Sequence, residues 1–156
     1  MLPPPSYLYN INTSRNIYGI KLEEQGEKEM GRRIEFDDDV KIGYVYIVNK
    51  KYKYKIDETE ELEVNPFLNV DIDKNGIIIG IELFEEEALG LKEILNNKKR
   101  MFIESPEGYS FRMSQEEVRS KFVFRGLRFC FSNVGYKGLI GIDIIVPENY
   151  PAKYIL

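Results

Sequence analysis

Histidine and tryptophan are absent from the 156 residues, and cysteine occurs once, at Cys130. Without histidine the chain has no histidine metal ligands, no histidine general base, and no Ser-His or Cys-His nucleophile pair. One cysteine excludes an internal disulfide and a cysteine zinc site, which is typical of a reducing compartment. Carboxylates, lysines, tyrosines and hydroxyls are the groups left for chemistry.

Long apolar runs are also missing. No run approaches the roughly 20 residues of a membrane span, and residues 1–5 lack the basic start and apolar core of a signal peptide. We therefore expect a cytoplasmic protein with no membrane partner. The length, with 43% hydrophobic and 31% charged residues, predicts a folded domain. Its richness in Ile, Tyr, Lys and Asn is typical of AT-rich genomes, archaeal or viral.

Charge is unevenly distributed although the net charge is only -4. Residues 40–56 carry five lysines and no acid, whereas residues 57–93 carry twelve acids and two lysines. Such blocks form solvated faces, or else they steer a partner and complement each other in self-assembly.

An apolar block around a glycine occurs three times. The glycines are Gly19, Gly80 and Gly141, 61 residues apart both times. Each block follows a turn-rich stretch that is itself preceded by an apolar or aromatic run, which predicts three β-hairpins. The clearest turn is Asn75-Gly76, because this dipeptide favours the positive φ angles of a tight hairpin.

A second pattern occurs twice. Residues 44–48 and 52–56 flank a turn at Asn49-Lys50, and residues 101–103 and 109–113 flank a turn at 106–108. Each pair is interpreted as a hairpin. In the first pair, residues 51–55 alternate lysine with tyrosine, as in an exposed strand whose lysines oppose aggregation.

Together these patterns predict two tandem hairpin-rich units, 34–90 and 99–150, preceded by an N-terminal hairpin at 7–23. The extra hairpin could complete a sheet that two units leave open. The predicted fold class is α+β, mainly antiparallel β, with one or two short helices. We expect residues 1–156 to form one compact domain.

One longer helix is predicted at 84–95. Its apolar residues fall on one stripe, and its acids cluster in the first turn, where the helix dipole favours them. A shorter helix is predicted at 114–119, where Ser114 and Glu117 fit a capping box.

The segment of about residues 34–84 resembles a known family. The matching runs are 34–37, 43–47, 59–61 and, most specifically, 70–83, Val-Asp-Ile-Asp-Lys-Asn-Gly-Ile-Ile-Ile-Gly-Ile-Glu-Leu. They are similar to the short prokaryotic domain-of-unknown-function family numbered 2283, with a degenerate second copy here. The resemblance implies a small β-rich module with a binding or scaffolding role, antitoxin-like in some members, and no catalytic residues.

The run from Asp71 to Glu82 also matches the spacing of an EF-hand calcium loop. The metal ligands would be Asp71, Asp73, Asn75 and Glu82. However, an EF-hand needs an entering helix, and Pro66 together with the isoleucine-rich continuation favours strands. A hairpin turn that uses Asp, Asn and Gly for its backbone angles is the preferred interpretation.

Acidic residues near this run suggest an alternative function, a metal-dependent nuclease. Carboxylates could bind Mg²⁺ or Mn²⁺ for phosphodiester cleavage, which needs no histidine. The candidate catalytic residues are Asp71, Asp73, Glu82, Glu86 and Lys92. The preferred interpretation is that the glutamates solvate a helix N-terminus, because no complete nuclease spacing is present.

Two segments interleave basic and aromatic residues, 50–55 and 121–129. Their cations could hold phosphates while the rings stack on bases. The candidate nucleic-acid-binding residues are Lys51, Lys53, Lys55, Arg125 and Arg128. The acidic pI near 5.1 argues against general nucleic-acid affinity but allows a local basic surface.

The leading functional prediction is a small non-enzymatic protein-binding or scaffolding module without a cofactor. Its partner would be another protein or a second copy of itself, because antiparallel sheets with uneven charge offer edges and complementary faces. Cys130, between two phenylalanines, is expected to be a buried and inert thiol.

Overall fold

The protein is described by a computed structural model that covers residues 33–95 and 100–156. Its ten strands form two five-stranded sheets in which every strand pair is antiparallel. Helices are few and short. The prediction of a mainly antiparallel β fold is therefore confirmed. Gly19 and the hairpin predicted at 7–23 lie outside the described residues.

The first sheet has the strand order β1-β2-β5-β4-β3. Its strands are β1 (Ile34–Asp37), β2 (Ile42–Tyr46), β3 (Ile56–Leu62), β4 (Asn65–Asp73) and β5 (Ile78–Phe84). β4 and β5 form the predicted hairpin, with Gly76 at φ 81°. Asp73 Oδ1 stabilises its turn by accepting bonds from the backbone N–H groups of Asn75 and Ile77, both at 3.0 Å.

The second sheet has the order β6-β7-β10-β9-β8. If the strands of each sheet are numbered from one to five along the chain, both sheets have the order 1-2-5-4-3. Its strands are β6 (Ile103–Ser105), β7 (Gly108–Arg112), β8 (Ser120–Phe124), β9 (Leu127–Phe131) and β10 (Leu139–Ile144). Gly80 and Gly141 are each the third residue of the fifth strand of their sheet.

Both sheets contribute to one hydrophobic core. Alternating strand residues point into it, among them Val45 and Ile81 from the first sheet and Phe129 and Ile142 from the second, all with no exposed surface. Burial of each such side chain stabilises the fold by about 1.5 to 3 kcal/mol. The opposite side of each sheet, called its outer face below, carries most of the polar strand residues.

A helix follows the last strand of each sheet. α1 (Glu85–Lys92) confirms the predicted helix but is shorter than 84–95. After β10 come a 3-10 turn (Pro147–Asn149) and α2 (Ala152–Ile155), neither of which was predicted. No helix within the described ranges is long and apolar enough to cross a membrane.

The C-terminal elements pack on the part of the chain that holds the first sheet. The N–H of Asn49 donates to the carbonyl of Tyr154 at 2.8 Å, and that of Ile78 donates to Tyr150 Oη at 3.1 Å. Arg33 donates to the carbonyl of Ile155 at 2.5 Å, and burial lowers the pKa of its guanidinium to about 10. These bonds tie residues 33–78 to the end of the described chain.

The hairpin predicted at 44–48 and 52–56 is wrong. β2 ends at Tyr46, and residues 47–55 form an irregular loop, so residues 51–55 are not an exposed strand. The physical reason is that Asn49 bonds to the C-terminal helix, while Tyr52 donates its hydroxyl to Asp73 Oδ2 at 2.6 Å. These contacts hold residues 47–55 in a position where they do not pair as a β-strand.

The short helix predicted at 114–119 is also wrong, because these residues contain no helix. Ser114 Oγ accepts a bond from the N–H of Glu116 at 3.1 Å, two residues ahead, which closes a local turn. A capping box would instead reach three residues ahead, to Glu117. The hairpin predicted at 101–103 and 109–113 is confirmed by the pairing of β6 with β7.

Candidate functional site

On the outer face of the first sheet, the side chain of Tyr44 lies over Gly80. A Cβ atom at Gly80 would collide with the tyrosine ring, so glycine is what permits this packing. Tyr44 donates its hydroxyl to Asp71 Oδ2 at 2.7 Å, and Thr59 donates to Asp71 Oδ1 at 2.5 Å. Burial, and then the charge of Asp71, raise the pKa of Tyr44 well above its ordinary value.

On the outer face of the second sheet, Gly141 makes room for Arg112 in the same way. A Cβ at Gly141 would lie 2.6 Å from a guanidinium nitrogen of Arg112. Arg112 Nη1 donates to Asp143 Oδ1 at 2.7 Å, Ser110 donates to the same oxygen at 2.7 Å, and Arg128 Nε donates to Oδ2 at 2.9 Å. The carboxylate of the first sheet is therefore bound by two uncharged hydroxyl groups, whereas that of the second is bound by two arginines and a serine.

The ionic network changes the proton affinity of its members. Burial alone would raise the pKa of Asp143, but the hydrogen bonds from Arg112 and Ser110 outweigh it and the pKa is lowered. Cys130 lies beside Asp143, and burial followed by that negative charge raises the pKa of its thiol. The prediction that Cys130 is buried is confirmed.

The strands of the two sheets differ in the charged residues that they contain. The strands of the first sheet contain nine acidic residues and no lysine or arginine. The strands of the second contain three cations, Arg112, Lys121 and Arg128, and two acids. Complementary charge of this kind favours association between unlike surfaces.

Two edge strands display these charges to solvent. β3, at one edge of the first sheet, exposes Asp57, Glu58 and Glu61. β8, at one edge of the second sheet, exposes Lys121 and Val123. Val123 is 53% exposed and so presents apolar surface at this edge.

The acids predicted for the nuclease occupy different environments. Asp71 is bonded to Tyr44 and Thr59 on the outer face, whereas Asp73 is buried and forms the hairpin turn. Asp71 and Glu82 stand on neighbouring strands, but they are not directly paired. The carboxylates of Asp71 and Asp73 already accept hydrogen bonds within the fold, which leaves them little freedom to bind a metal.

The remaining nuclease candidates are on α1. Glu86 is exposed in the first turn, and Lys92 forms an exposed ion pair with Asp38 at 3.3 Å. In residues 33–95 and 100–156, no group of three or more acidic, cysteine or histidine side chains could hold a metal ion. The segment from Asp71 to Glu82, which includes Asn75, is a hairpin instead of a calcium loop.

The predicted nucleic-acid residues separate into two groups. Lys51, Lys53 and Lys55 are exposed in the loop 47–55. Arg125 forms ion pairs with Glu58 and Glu60 at 3.6 and 3.7 Å, and Arg128 binds Asp143 and Glu107. The structure thus keeps the lysines together in one loop and places both arginines in ion pairs, with Arg125 Nη1 beside the β4–β5 turn, 3.5 Å from where a Cβ of Gly76 would lie.

A buried carboxylate that the sequence analysis missed is Glu87. Its Oε2 accepts bonds from the N–H of Gly138 at 2.9 Å and from Asn65 Nδ2 at 3.0 Å, and its Oε1 accepts one from the N–H of Leu139 at 2.8 Å. It thereby fastens α1 to the loop between β9 and β10. Its position four residues before Leu91, on the apolar side of the helix, is the signal that could have identified it.

One relative of the chain is the protein named "Uncharacterized protein YuzE" from Bacillus subtilis (strain 168). The two are 34% identical over 114 residues, which cover 72% of this chain and 87% of the relative. No family model and no solved structure matches the chain.

Proposed function

The chain belongs to the family of YuzE, whose name assigns no activity, and we propose that it is a non-enzymatic protein-binding module that associates with further copies of itself. The observation that carries the proposal is the charge difference between the exposed edges of the two sheets. β3 is acidic, and β8 carries an exposed lysine beside an exposed valine.

The proposed contact joins β3 of one copy to β8 of another. Among the described residues each is the last strand of its sheet, so one side of each ladder offers backbone N–H and C=O groups to a further strand. Glu61 and Lys121 supply opposite charges, and Val123 supplies apolar surface that the contact would bury. Because the two edges differ, the contact is head-to-tail and leads to rings or chains.

Light scattering at several protein and salt concentrations tests this proposal. The average mass should rise with protein concentration and fall with added salt, because salt screens exposed charges. Lys121→Glu or Glu61→Lys alone should weaken association about tenfold, since each places like charges opposite one another. The double variant, which exchanges the two charges, should recover most of it.

A monomeric protein at every concentration would contradict the proposal, as would a double variant that associates no better than the single ones. Reversal of a charge at Lys137, which is exposed outside both edge strands, is the matched control and should leave the mass unchanged.

We also infer that the two sheets are tandem copies of one unit. The shared strand order, the corresponding positions of Gly80 and Gly141, and the helix after each fifth strand support this inference. Superposition of β1–β5 on β6–β10 should pair the two glycines. The resemblance to family 2283 and the antitoxin-like role stay predictions, and the same is true of the nuclease alternative, which no observation here favours.

The proposed location is the cytoplasm. The supporting observation is the composition, because one cysteine cannot form an internal disulfide. Expression of a fluorescent fusion followed by fractionation would test it, and recovery of the fusion from a secreted or membrane fraction would contradict it.

A further inference from the structure

Six lysines gather where three segments of the chain meet. The segments are the loop 47–55, the turn between β4 and β5, and the C-terminal helix α2. Tyr52 joins them, because its hydroxyl donates to Asp73 in the turn and its ring packs edge-on against Tyr154 of α2 at 5.0 Å. The lysines, called the lysine cluster below, are Lys50, Lys51, Lys53, Lys55, Lys74 and Lys153, all exposed.

The loop that presents most of these lysines is held in place. Asn49 donates its backbone N–H to Tyr154 and its side-chain amide to the carbonyl of Lys153 at 2.9 Å. Asn49 Oδ1 in turn accepts a bond from the N–H of Lys51 at 2.9 Å. The loop backbone is therefore positioned before any partner binds, which reduces the entropy lost on binding.

Among the residues that the structure describes, none of the six lysines lies within ion-pair distance of a carboxylate. Asp73, which precedes Lys74, is buried and accepts bonds from Tyr52, Asn75 and Ile77. A surface of this kind attracts a polyanion, even though the whole chain is acidic.

Aromatic rings lie among the lysines. Tyr54 stacks on Tyr52, with centroids 6.3 Å apart and an interplanar angle of 18°, and is itself 42% exposed. Lys153 Nζ lies 5.0 Å from the ring centroid of Tyr154. Nucleobases stack on such rings, whereas an acidic protein surface would use the lysines alone.

We propose that the lysine cluster binds single-stranded nucleic acid, with the lysines contacting phosphates and Tyr54 stacking on a base. This site reaches Lys55, the residue before β3, and its lysines are not among the residues proposed for self-association. It also retains three of the five cations that the sequence suggested for nucleic acid, and it excludes Arg125 and Arg128, which are held in ion pairs.

Fluorescence anisotropy with a labelled oligothymidylate of about 20 nucleotides tests the proposal. The triple variant Lys51→Glu, Lys53→Glu and Lys55→Glu should bind at least about tenfold more weakly than the wild type. The control triple variant, Lys41→Glu, Arg119→Glu and Lys137→Glu, changes net charge equally at exposed positions elsewhere and should bind within about twofold of the wild type.

Salt dependence and competition distinguish this ligand from other polyanions. If three phosphates are neutralised, the logarithm of affinity should fall with the logarithm of salt concentration with a slope of about -2. An abasic strand of equal length and a polyglutamate peptide should each bind more weakly than the oligothymidylate. Equal binding of either competitor, equal loss in both triple variants, or no binding at low salt would overturn the proposal.

Discussion

The two sheets use one architecture with different chemistry on their outer faces. In each sheet a glycine of the fifth strand allows a large side chain from the second strand to cross it and reach an aspartate. The first sheet uses Tyr44 and neutral hydroxyl groups, whereas the second uses Arg112 and Arg128 around Asp143. The backbone requirement is thus shared, while the polar groups differ.

Removal of the central carboxylates should reveal the largest difference between the sheets. Asp143→Ala should lower the free energy of unfolding by about 2 to 4 kcal/mol, because it leaves two cations without their buried partner. Asp71→Ala should cost about 1 to 2 kcal/mol, because the uncharged hydroxyl groups of Tyr44 and Thr59 lose their carboxylate acceptor. Urea denaturation measures both values.

Asp143→Asn is the control for this comparison, since it keeps the shape and one acceptor oxygen. It should cost less than Asp143→Ala. A larger cost for Asp71→Ala than for Asp143→Ala would show that the ionic network is not the stronger one.

Substitution of the glycines should have a smaller effect. Gly80→Ala should cost about 2 kcal/mol, because the added methyl group displaces the rigid ring of Tyr44. Gly141→Ala should cost about 1 to 2 kcal/mol, because displacement of Arg112 weakens its ion pair with Asp143 and the methyl group would lie 3.0 Å from the carbonyl oxygen of Phe111, while Arg128 stays bound to Asp143. Thermal denaturation of the two variants gives the ranking.

The same substitution in a Tyr44→Ala background isolates the cause. Gly80→Ala should then cost much less than in the wild type, because the ring it displaces is gone. An unchanged cost would mean that the backbone, and not Tyr44, requires glycine at this position.

The effects of pH come last, and they have opposite signs in the two sheets. Asp143 has a lowered pKa, so its contribution to stability is present above its ordinary value of 3.8 and is lost as the pH falls through the folded pKa. Tyr44 has a raised pKa, so its contribution is present below 10.0 and is lost as the pH rises through the folded pKa.

Denaturation across the pH range checks both signs, at about 1.4 kcal/mol for each pKa unit of difference between the folded and unfolded states. Asp143→Asn should flatten the acid side of the stability profile, and Tyr44→Phe should flatten the alkaline side. A profile that changes on the same side for both variants would contradict the assignment.

Local patterns were sufficient to predict much of the fold. The hairpins around Gly80 and Gly141 follow from alternating apolar residues and turn dipeptides, and both exist. The loop 47–55 was missed because its conformation depends on Tyr154, about a hundred residues away in sequence. The alternating lysines and tyrosines of residues 51–55 therefore belong to a loop that is held by hydrogen bonds, and not to a strand.

The polar networks were less predictable than the strands. Asp143 receives bonds from β7 and β9, and their placement on either side of β10 depends on the strand order of the whole sheet. The acids around Asp71 were grouped by sequence proximity, but alternation and the turn separate their side chains. Glu87 was counted among solvated glutamates, although its helix position gave a signal for burial.

Translation produces the first sheet before the second, and this order bears on when the bonds of the C-terminal helix can form. Arg33 and Asn49 bond to residues more than a hundred positions later, Ile155 and Lys153. A ribosome must therefore translate both sheets before those groups meet their partners. Because contacts of such long sequence separation slow folding, we expect the first sheet to complete its folding only after the second sheet and the C-terminal helix have been synthesised.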